Sequence, residues 1–244
     1  MSFSVVIPAR FGATRLPGKP LLDIGGKPMI QHTWERAKAS AAENVYIATD
    51  DERIREVAEA FGATVCMTAT THRSGTDRIQ EVATQLRLPA EHVVVNVQAD
   101  EPMLPFEVIN QVAANLAATP AVGIATLCEP ISDKLDIEDP NAVKVVFDHR
   151  GHALYFSRAT IPWNACTSAK NCYRHVGIYA YRVAVLNAFV HWPVSELELA
   201  EKLEQLRALY NGVAIHVAVS ELRIPPGVDT ERDLESVRAH LAGR

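Results

Sequence analysis

The sequence predicts an α/β fold: a mostly parallel, twisted sheet with helices on both faces and a smaller mixed β insertion. Three observations predict it. Through residue 127, short apolar runs alternate with longer segments whose apolar residues recur at helical spacing, the rhythm of a parallel sheet. The run 93–97, Val-Val-Val-Asn-Val, is so apolar that both of its faces must be covered. After residue 127 the rhythm changes, and two runs around His149-Arg150-Gly151 read as a hairpin.

The elements follow in order. Residues 3–7 are an apolar run closed by Pro8, a buried strand. A loop rich in Gly, Pro and cations runs to about Pro20, and Gly25-Gly26 marks a turn. Residues 28–40 place Met29, Ile30, Trp34 and Ala37 at helical spacing, with Pro28 suited to the first turn. Strands are predicted at 45–48, 64–67, 93–97 and 122–127, and helices at 51–61, 75–86 and 106–119. The helix at 75–86 turns Ile79, Val82, Ala83 and Leu86 inward. Beyond lie the hairpin 142–147 and 153–156, a strand at 173–181, helices at 183–190 and 197–210, a strand at 215–219 and a last helix from Thr230. The strand 173–181 alternates: Tyr173, His175, Gly177, Tyr179 and Tyr181 share one face, Arg174, Val176, Ile178 and Ala180 the other. In the helix 197–210, Leu199, Leu203, Leu206 and Tyr210 form one stripe, which leaves Glu201 and Glu204 toward solvent.

Composition narrows the function. At 244 residues and 48% apolar, the chain builds a sizeable core in one domain, with no linker or internal repeat dividing it. A net charge of −5 argues against non-specific nucleic-acid binding, so any polyanion must meet a local cluster of cations. No apolar run suits membrane insertion, and the first residues lack the basic leader of a signal peptide. Cys66, Cys128, Cys166 and Cys172 show no paired ligand spacing; they read as reduced cytosolic thiols, Cys66 and Cys128 within the core.

Ligands of an open parallel sheet bind at the carboxyl ends of its strands, so the loops there carry the chemistry. The first, 8–20, holds Arg10, Arg15 and Lys19 between glycines and prolines, a loop suited to phosphates through backbone N–H groups and cations. It is neither a Walker loop nor a dinucleotide fingerprint. In the second, 72–78, Ser74, Thr76 or Asp77 can cap the next helix, or the same helix start can meet an anion or a nucleobase edge. In the third, 96–102, Asp100 or Glu101 either ligates a divalent metal beside phosphate oxygens or caps a turn before Pro102. Thr230 with Asp233 resembles a capping box, so pattern alone makes Asp229 structural. Pattern alone also makes His175 a satisfied core histidine and Glu204 a solvent residue.

An ordered set of segments changes those defaults. Ile7-Pro8-Ala9-Arg10 through Thr14-Arg15-Leu16-Pro17-Gly18-Lys19-Pro20 comes first, then Ser74-Gly75-Thr76-Asp77-Arg78 and Asn96-Val97-Gln98 before Asp100-Glu101-Pro102. Pro140-Asn141-Ala142-Val143-Lys144-Val145, Tyr155-Phe156-Ser157-Arg158-Ala159 and Arg174-His175 with Gly177-Ile178-Tyr179 follow, then Leu203-Glu204-Gln205-Leu206-Arg207 and Gly227-Val228-Asp229-Thr230. Together, from Phe3 to the last helix, they resemble the 3-deoxy-manno-octulosonate cytidylyltransferases, or CMP-Kdo synthetases.

The resemblance implies the Rossmann-like fold of nucleotide-diphospho-sugar transferases and a single nucleotidyltransferase domain over 1–244. Within it, about 1–127 would form the nucleotide half and about 128–220 the sugar and dimerisation part. It implies CTP and Kdo (3-deoxy-D-manno-octulosonate) as substrates, Mg²⁺ as cofactor, and a cytoplasmic homodimer supplying lipopolysaccharide. Arg10, Arg15 and Lys19 would hold the triphosphate and, with Asp100, serve catalysis; Arg73, Ser74, Thr76, Asp77 and Gln98 would surround the nucleotide. Asp100 and Asp229 would bind the metal, and Gln98, Arg158, His175, Tyr179, Glu204 and Gln205 the sugar. Three departures stand out: Ala13 where the family usually has Ser, Ala99 where it has Gly, and a short 164–172 segment beside the sugar pocket. They leave a terminally modified Kdo, or another sugar acid, as alternative acceptors.

Overall fold

The computed structural model describes residues 2–12, 16–131, 133–163 and 172–243. Strand β1 (Phe3–Ala9) is central, parallel to β4 (Asn44–Thr49) on one side and β6 (Val93–Asn96) on the other, and β5 (Thr64–Met67) extends the sheet beyond β4. β7 (Ile124–Pro130) and β11 (Ile215–Val219) form a second parallel pair. Between the two groups lies β10 (Tyr173–Arg182), antiparallel to both β6 and β7, giving the order β11-β7-β10-β6-β1-β4-β5. The hairpin β8 (Lys144–Phe147) and β9 (Ala153–Ser157) hangs on the start of β10, where Val145 faces Tyr173. The expected mostly parallel sheet with a mixed insertion is the fold observed.

Two layers of helix cover the sheet because the strands alternate. Val5 and Ile7 point to a core shared with α1 (Met29–Ala39), α2 (Glu52–Ala60) and α4 (Phe106–Ala118). Val6 and Val94 point to the opposite core, built with α3 (Gly75–Gln85) and α6 (Val183–Phe189). All of β6 is buried, as its unbroken apolar run requires. The alternation read along β10 holds: Val176, Ile178 and Ala180 enter the first core, Tyr179 and Tyr181 the second. A register shift between Val176 and Tyr179 bulges the strand beside its functional residues.

A third cluster matters for function. Leu16, Ile24, Met29, Val228, Leu234 and Val237 are all buried together. They join the end of the cation loop, the short hairpin β2 (Asp23–Ile24) and β3 (Lys27–Pro28), and α9 (Glu231–Ala242). Burying each such side chain contributes about 1.5–3 kcal/mol. The cluster therefore fixes the chain's first loop against the segment that carries Asp229. Gly25 and Gly26 supply the two positive φ angles of the β2–β3 turn, 61° and 85°.

Two readings need correction. The single helix expected at 197–210 is two, α7 (Glu196–Glu201) and α8 (Leu206–Tyr210), parted at Lys202 with φ 54°. Periodicity missed the break because tertiary partners make it. Arg158 Nε donates to the Glu201 carbonyl at 2.8 Å, and Arg207 pairs with Glu198 across the joint at 2.6 Å. Of the expected stripe, Leu203 and Leu206 are buried, whereas Leu199 and Tyr210 are exposed. The sequence reading also missed the short helix α5 (Lys134–Glu138), whose N-cap is Asp133. Ala99 takes no strained angle, since Arg87 and Lys202 are the only described non-glycines with positive φ.

Candidate active site

The carboxyl ends of β1 and β6 open on one cavity of about 240 Å³. Arg10, Lys19, Gln98, Asp100 and Asp229 line it. The loop after β1 is shaped by its own contacts. Gly18 N donates to the Phe11 carbonyl at 3.1 Å, and a side chain at Gly18 (φ 68°) would strike the Phe11 ring. Arg53 stacks over that ring, 3.4 Å from its centre. Lys19 is thereby set at the start of a 3₁₀ turn, aimed into the cavity.

Lys19 Nζ is the hub of the site. It lies 2.5 Å from Asp100 Oδ2 and 3.2 Å from Asp229 Oδ1, and it donates to the Val228 carbonyl at 2.9 Å. Val228 N returns a bond to the Asp100 carbonyl at 2.9 Å, and Gly227 packs on the same oxygen. Residues some 81 and 210 positions from Lys19 thus converge on one ammonium. Two carboxylates facing each other across a cation form an oxygen donor set suited to a hard divalent ion that also takes phosphate oxygens. Among the described residues no group of three or more His, Cys, Asp or Glu could hold a metal, so phosphate and water would complete such a site. Glu101, beside Asp100, is pushed up to about 7, by burial and by the Asp100 and Asp229 charges, with Arg174 opposing.

A second hollow of about 170 Å³ adjoins the first through Pro8, Ala9, Arg10 and Gln98. Arg73, Ser74 and Arg78 complete its wall. Here the capping reading holds: Ser74 Oγ accepts from Asp77 N at 3.2 Å, and Asp77 Oδ2 accepts from Ser74 N at 3.1 Å. Asp77 is spent on that box, while the start of α3 still faces the hollow. Arg78 is a wall residue that the sequence reading did not single out. It is buried, pairs with Asp50 at 3.0 Å and also donates to Thr68 Oγ1. Its signal was the loop after β4, where Asp50 follows the last strand residue, one of the strand ends at which ligands gather.

Thr76 turns away from the second hollow and donates to Glu204 Oε2 at 2.6 Å. Glu204 and Gln205, from the α7–α8 joint, line a third, smaller hollow with Tyr179, Tyr181 and Phe189. Burial raises the Glu204 carboxyl, against the Thr76, Ser74 and Arg207 contacts that lower it. Burial also holds the Tyr179 hydroxyl well above its ordinary value. His175 lies beneath, its ring 5.3 Å from that of Tyr179 and its Nε2 3.1 Å from Thr126 Oγ1. Burial, aided by Arg174, pushes it down to about 3, so the ring is neutral.

Arg158 stands apart from this hollow. Its guanidinium donates to the carbonyls of Glu201 at 2.8 Å and Pro140 at 2.9 Å. Arg15 and Ala13, like the short segment 164–171, lie outside the described residues. The structure therefore gathers Arg10, Lys19, Gln98, Asp100 and Asp229, adjoins them with Arg73 and Ser74, and sets Thr76, Tyr179, Glu204 and Gln205 around a third space.

Residues 4–215 match the family model described as Cytidylyltransferase. A 3-deoxy-manno-octulosonate cytidylyltransferase of Cellvibrio japonicus is 58% identical, over 99% of this chain and 98% of its own length. One of Vibrio cholerae is 54% identical, over 100% and 99%. The chain belongs to the 3-deoxy-manno-octulosonate cytidylyltransferases.

As a cytidylyltransferase it is a nucleotidyl-transferring enzyme. The solved structure of CMP:2-keto-3-deoxy-manno-octonic acid synthetase complexed with CTP superposes with a TM-score of 0.92 at 44% identity, covering 99% of this chain and 98% of that one. A cytidylyltransferase of Leptospira borgpetersenii shares the fold at a TM-score of 0.64 and 15% identity. For this cytidylyltransferase, the default that set Asp229 aside as structural has a reason. A box of capping bonds does surround Asp229, because its N donates to Asp233 Oδ2 at 3.1 Å. Its side chain nonetheless faces Lys19.

Proposed function

We propose that this chain transfers the cytidylyl group of CTP to Kdo, releasing pyrophosphate and forming CMP-Kdo for lipopolysaccharide assembly in the cytoplasm. The observation that carries the reading is Lys19, held between Asp100 and Asp229 in the cavity that Arg10 and Gln98 share with the Ser74 hollow.

The reaction is an in-line displacement: the anomeric hydroxyl attacks the α-phosphorus and pyrophosphate leaves. Such chemistry rests on positioning and charge neutralisation, with little covalent work for the protein. Arg10 and Lys19 face the polyphosphate and offset the charge that builds on the leaving group. Gln98 lines both hollows and orients the nucleotide between them. Glu204, fixed by Thr76, and Tyr179 offer polar atoms to the sugar hydroxyls from a largely apolar wall. Asp100 and Asp229 would hold Mg²⁺, which when bound polarises the α-phosphate and lowers the pKa of the attacking hydroxyl.

A homodimer is part of the same reading. Leu154 on β9 is 63% exposed and Trp163 is 91% exposed, two large apolar side chains that a second copy could cover. No helix among the described residues is long and apolar enough to cross a membrane.

Pyrophosphate release, measured with CTP or UTP against Kdo or sialic acid, tests the proposal. The CTP and Kdo pair is expected to turn over fastest. Absence of release with CTP and every eight- or nine-carbon sugar acid would end it.

A further inference from the structure

Asp229 reaches the site on a strap, 220–230, that has no helix or strand of its own. Its backbone is tied at few points. Ser220 N donates to the Cys128 carbonyl at 2.8 Å, where the strap leaves β11. Val228 N donates to the Asp100 carbonyl at 2.9 Å, where it reaches the site. Between them, Glu221 N donates to Gln111 Oε1 at 3.2 Å, and Ile224 N donates to Glu129 Oε1 at 2.7 Å. Directly after that tie come Pro225 and Pro226, which have no N–H and hold φ near −65°. A stiff pair of residues thus transmits the position of Ile224 to Gly227 and Asp229.

Glu129 is itself restrained. It stands opposite Arg174 in the β7–β10 ladder, and its Oε2 accepts from Arg174 Nη2. Its side chain is only 14% exposed, so the carboxylate meets protein groups more than water. Arg174 also acts electrostatically on Glu101, the neighbour of Asp100. One ion pair therefore borders both acid-bearing segments without lining the cavity.

We propose that Glu129 and Arg174 are positioning residues that set the strap so that Asp229 faces Asp100 at the correct separation. The role rests on the reading of Asp229 as a metal ligand. It places Glu129 one step behind the ligand, through backbone, where such supports typically change metal affinity about 10- to 100-fold.

The test uses the full chain with CTP, and Mn²⁺ titrated as the probe by electron paramagnetic resonance. Glu129→Met removes the acceptor and keeps the volume. Expected are Mn²⁺ binding about tenfold weaker, CTP binding without metal unchanged, and turnover that recovers at high Mn²⁺. Unaltered Mn²⁺ affinity in Glu129→Met, while Asp229→Ala weakens it, overturns the positioning role and leaves the metal reading intact. Unaltered affinity in Asp229→Ala removes the metal reading, and the positioning role with it. If Glu129→Met fails to fold, Arg174→Met decides: it keeps the carboxylate and frees it from its partner. A weakening of about threefold, the scale of a partly exposed ion pair, supports the role, and parent affinity overturns it.

Discussion

The two ends of this site, proposed above to take the phosphates and the acceptor, are built on opposite principles. At the phosphate end, the two acids keep contact with water around a largely buried Lys19: Asp229 is 55% exposed, Asp100 31% and Lys19 14%. Their ion pairs with Lys19 hold the geometry while leaving room for a polyanion, and solvent keeps their net contribution to stability small. At the acceptor end, Tyr179, Tyr181, His175 and Glu204 are driven toward their neutral forms by burial. There the side chains are fixed by packing, and charge is kept low. The contrast teaches that acids are kept charged where water still reaches them, and neutral polar groups are packed where it does not.

The largest effect should come from breaking the charged end. Asp100→Ala removes one acid facing Lys19 without removing core packing. A loss of turnover on the order of 10²–10³-fold is expected, the scale of losing one transition-state charge contact, with the melting temperature unchanged. Stopped-time assay of pyrophosphate alongside calorimetry checks both, and near-normal turnover would show that Asp100 is not a working acid. The acceptor end should respond differently. Glu204→Gln keeps the shape and the bond from Thr76 but replaces one carboxyl oxygen by an NH₂ group, which changes what an approaching hydroxyl meets. The KM for Kdo should rise about tenfold, roughly 1.4 kcal/mol, and the KM for CTP should stay constant. A rise in both constants together would mean that the two ends are not separable.

How much of this was legible beforehand differs between the same two ends. The phosphate end was readable because its chemistry lies in loops after strands: cations among glycines in 8–20 and an acid after a buried strand at Asp100. Asp229 was masked, since Thr230 and Asp233 do form the capping box that pattern proposed. The acceptor end was hidden by periodicity. A continuous helix at 197–210 sends Glu204 to solvent, and the break at Lys202 that turns it inward depends on Arg158, 44 residues away in sequence. His175 and Tyr179 were correctly placed on one strand face, yet a face does not say whether it packs or binds. The family resemblance assigned roles where local rules could not; it included Arg78 in a motif without a role, and Asp50, the partner of Arg78, escaped both.

Acid should expose the cost of the buried end. The unfolded chain protonates a histidine near pH 6.5, whereas burial holds His175 down to about 3. The neutral ring's contribution is therefore complete above 6.5 and is lost as the pH falls toward 3, by up to about 1.4 kcal/mol per pH unit. His175→Phe should flatten that part of the profile in urea titrations between pH 6.5 and 4. Thr126 would remain satisfied, because its hydroxyl also lies 2.7 Å from the Ile178 carbonyl. An unchanged slope would mean that the ring is not shielded as the structure places it.

The smallest expected change is a gain, and it isolates the joint that makes the acceptor end. Lys202 holds φ 54°, a conformation that costs a residue with a side chain roughly 1 kcal/mol and glycine almost nothing. Lys202→Gly should therefore stabilise the fold by about 0.5–1 kcal/mol, reduced by the greater freedom of glycine in the unfolded chain. Turnover and both KM values should hold, since the ties across the joint run through Arg158 to the Glu201 carbonyl and through Arg207 to Glu198, and Lys202 contributes only its backbone. If Lys202→Gly instead raises the KM for Kdo, the joint is too loose without its side chain. Packing alone would then not set Glu204, and the distinction between the two ends would weaken.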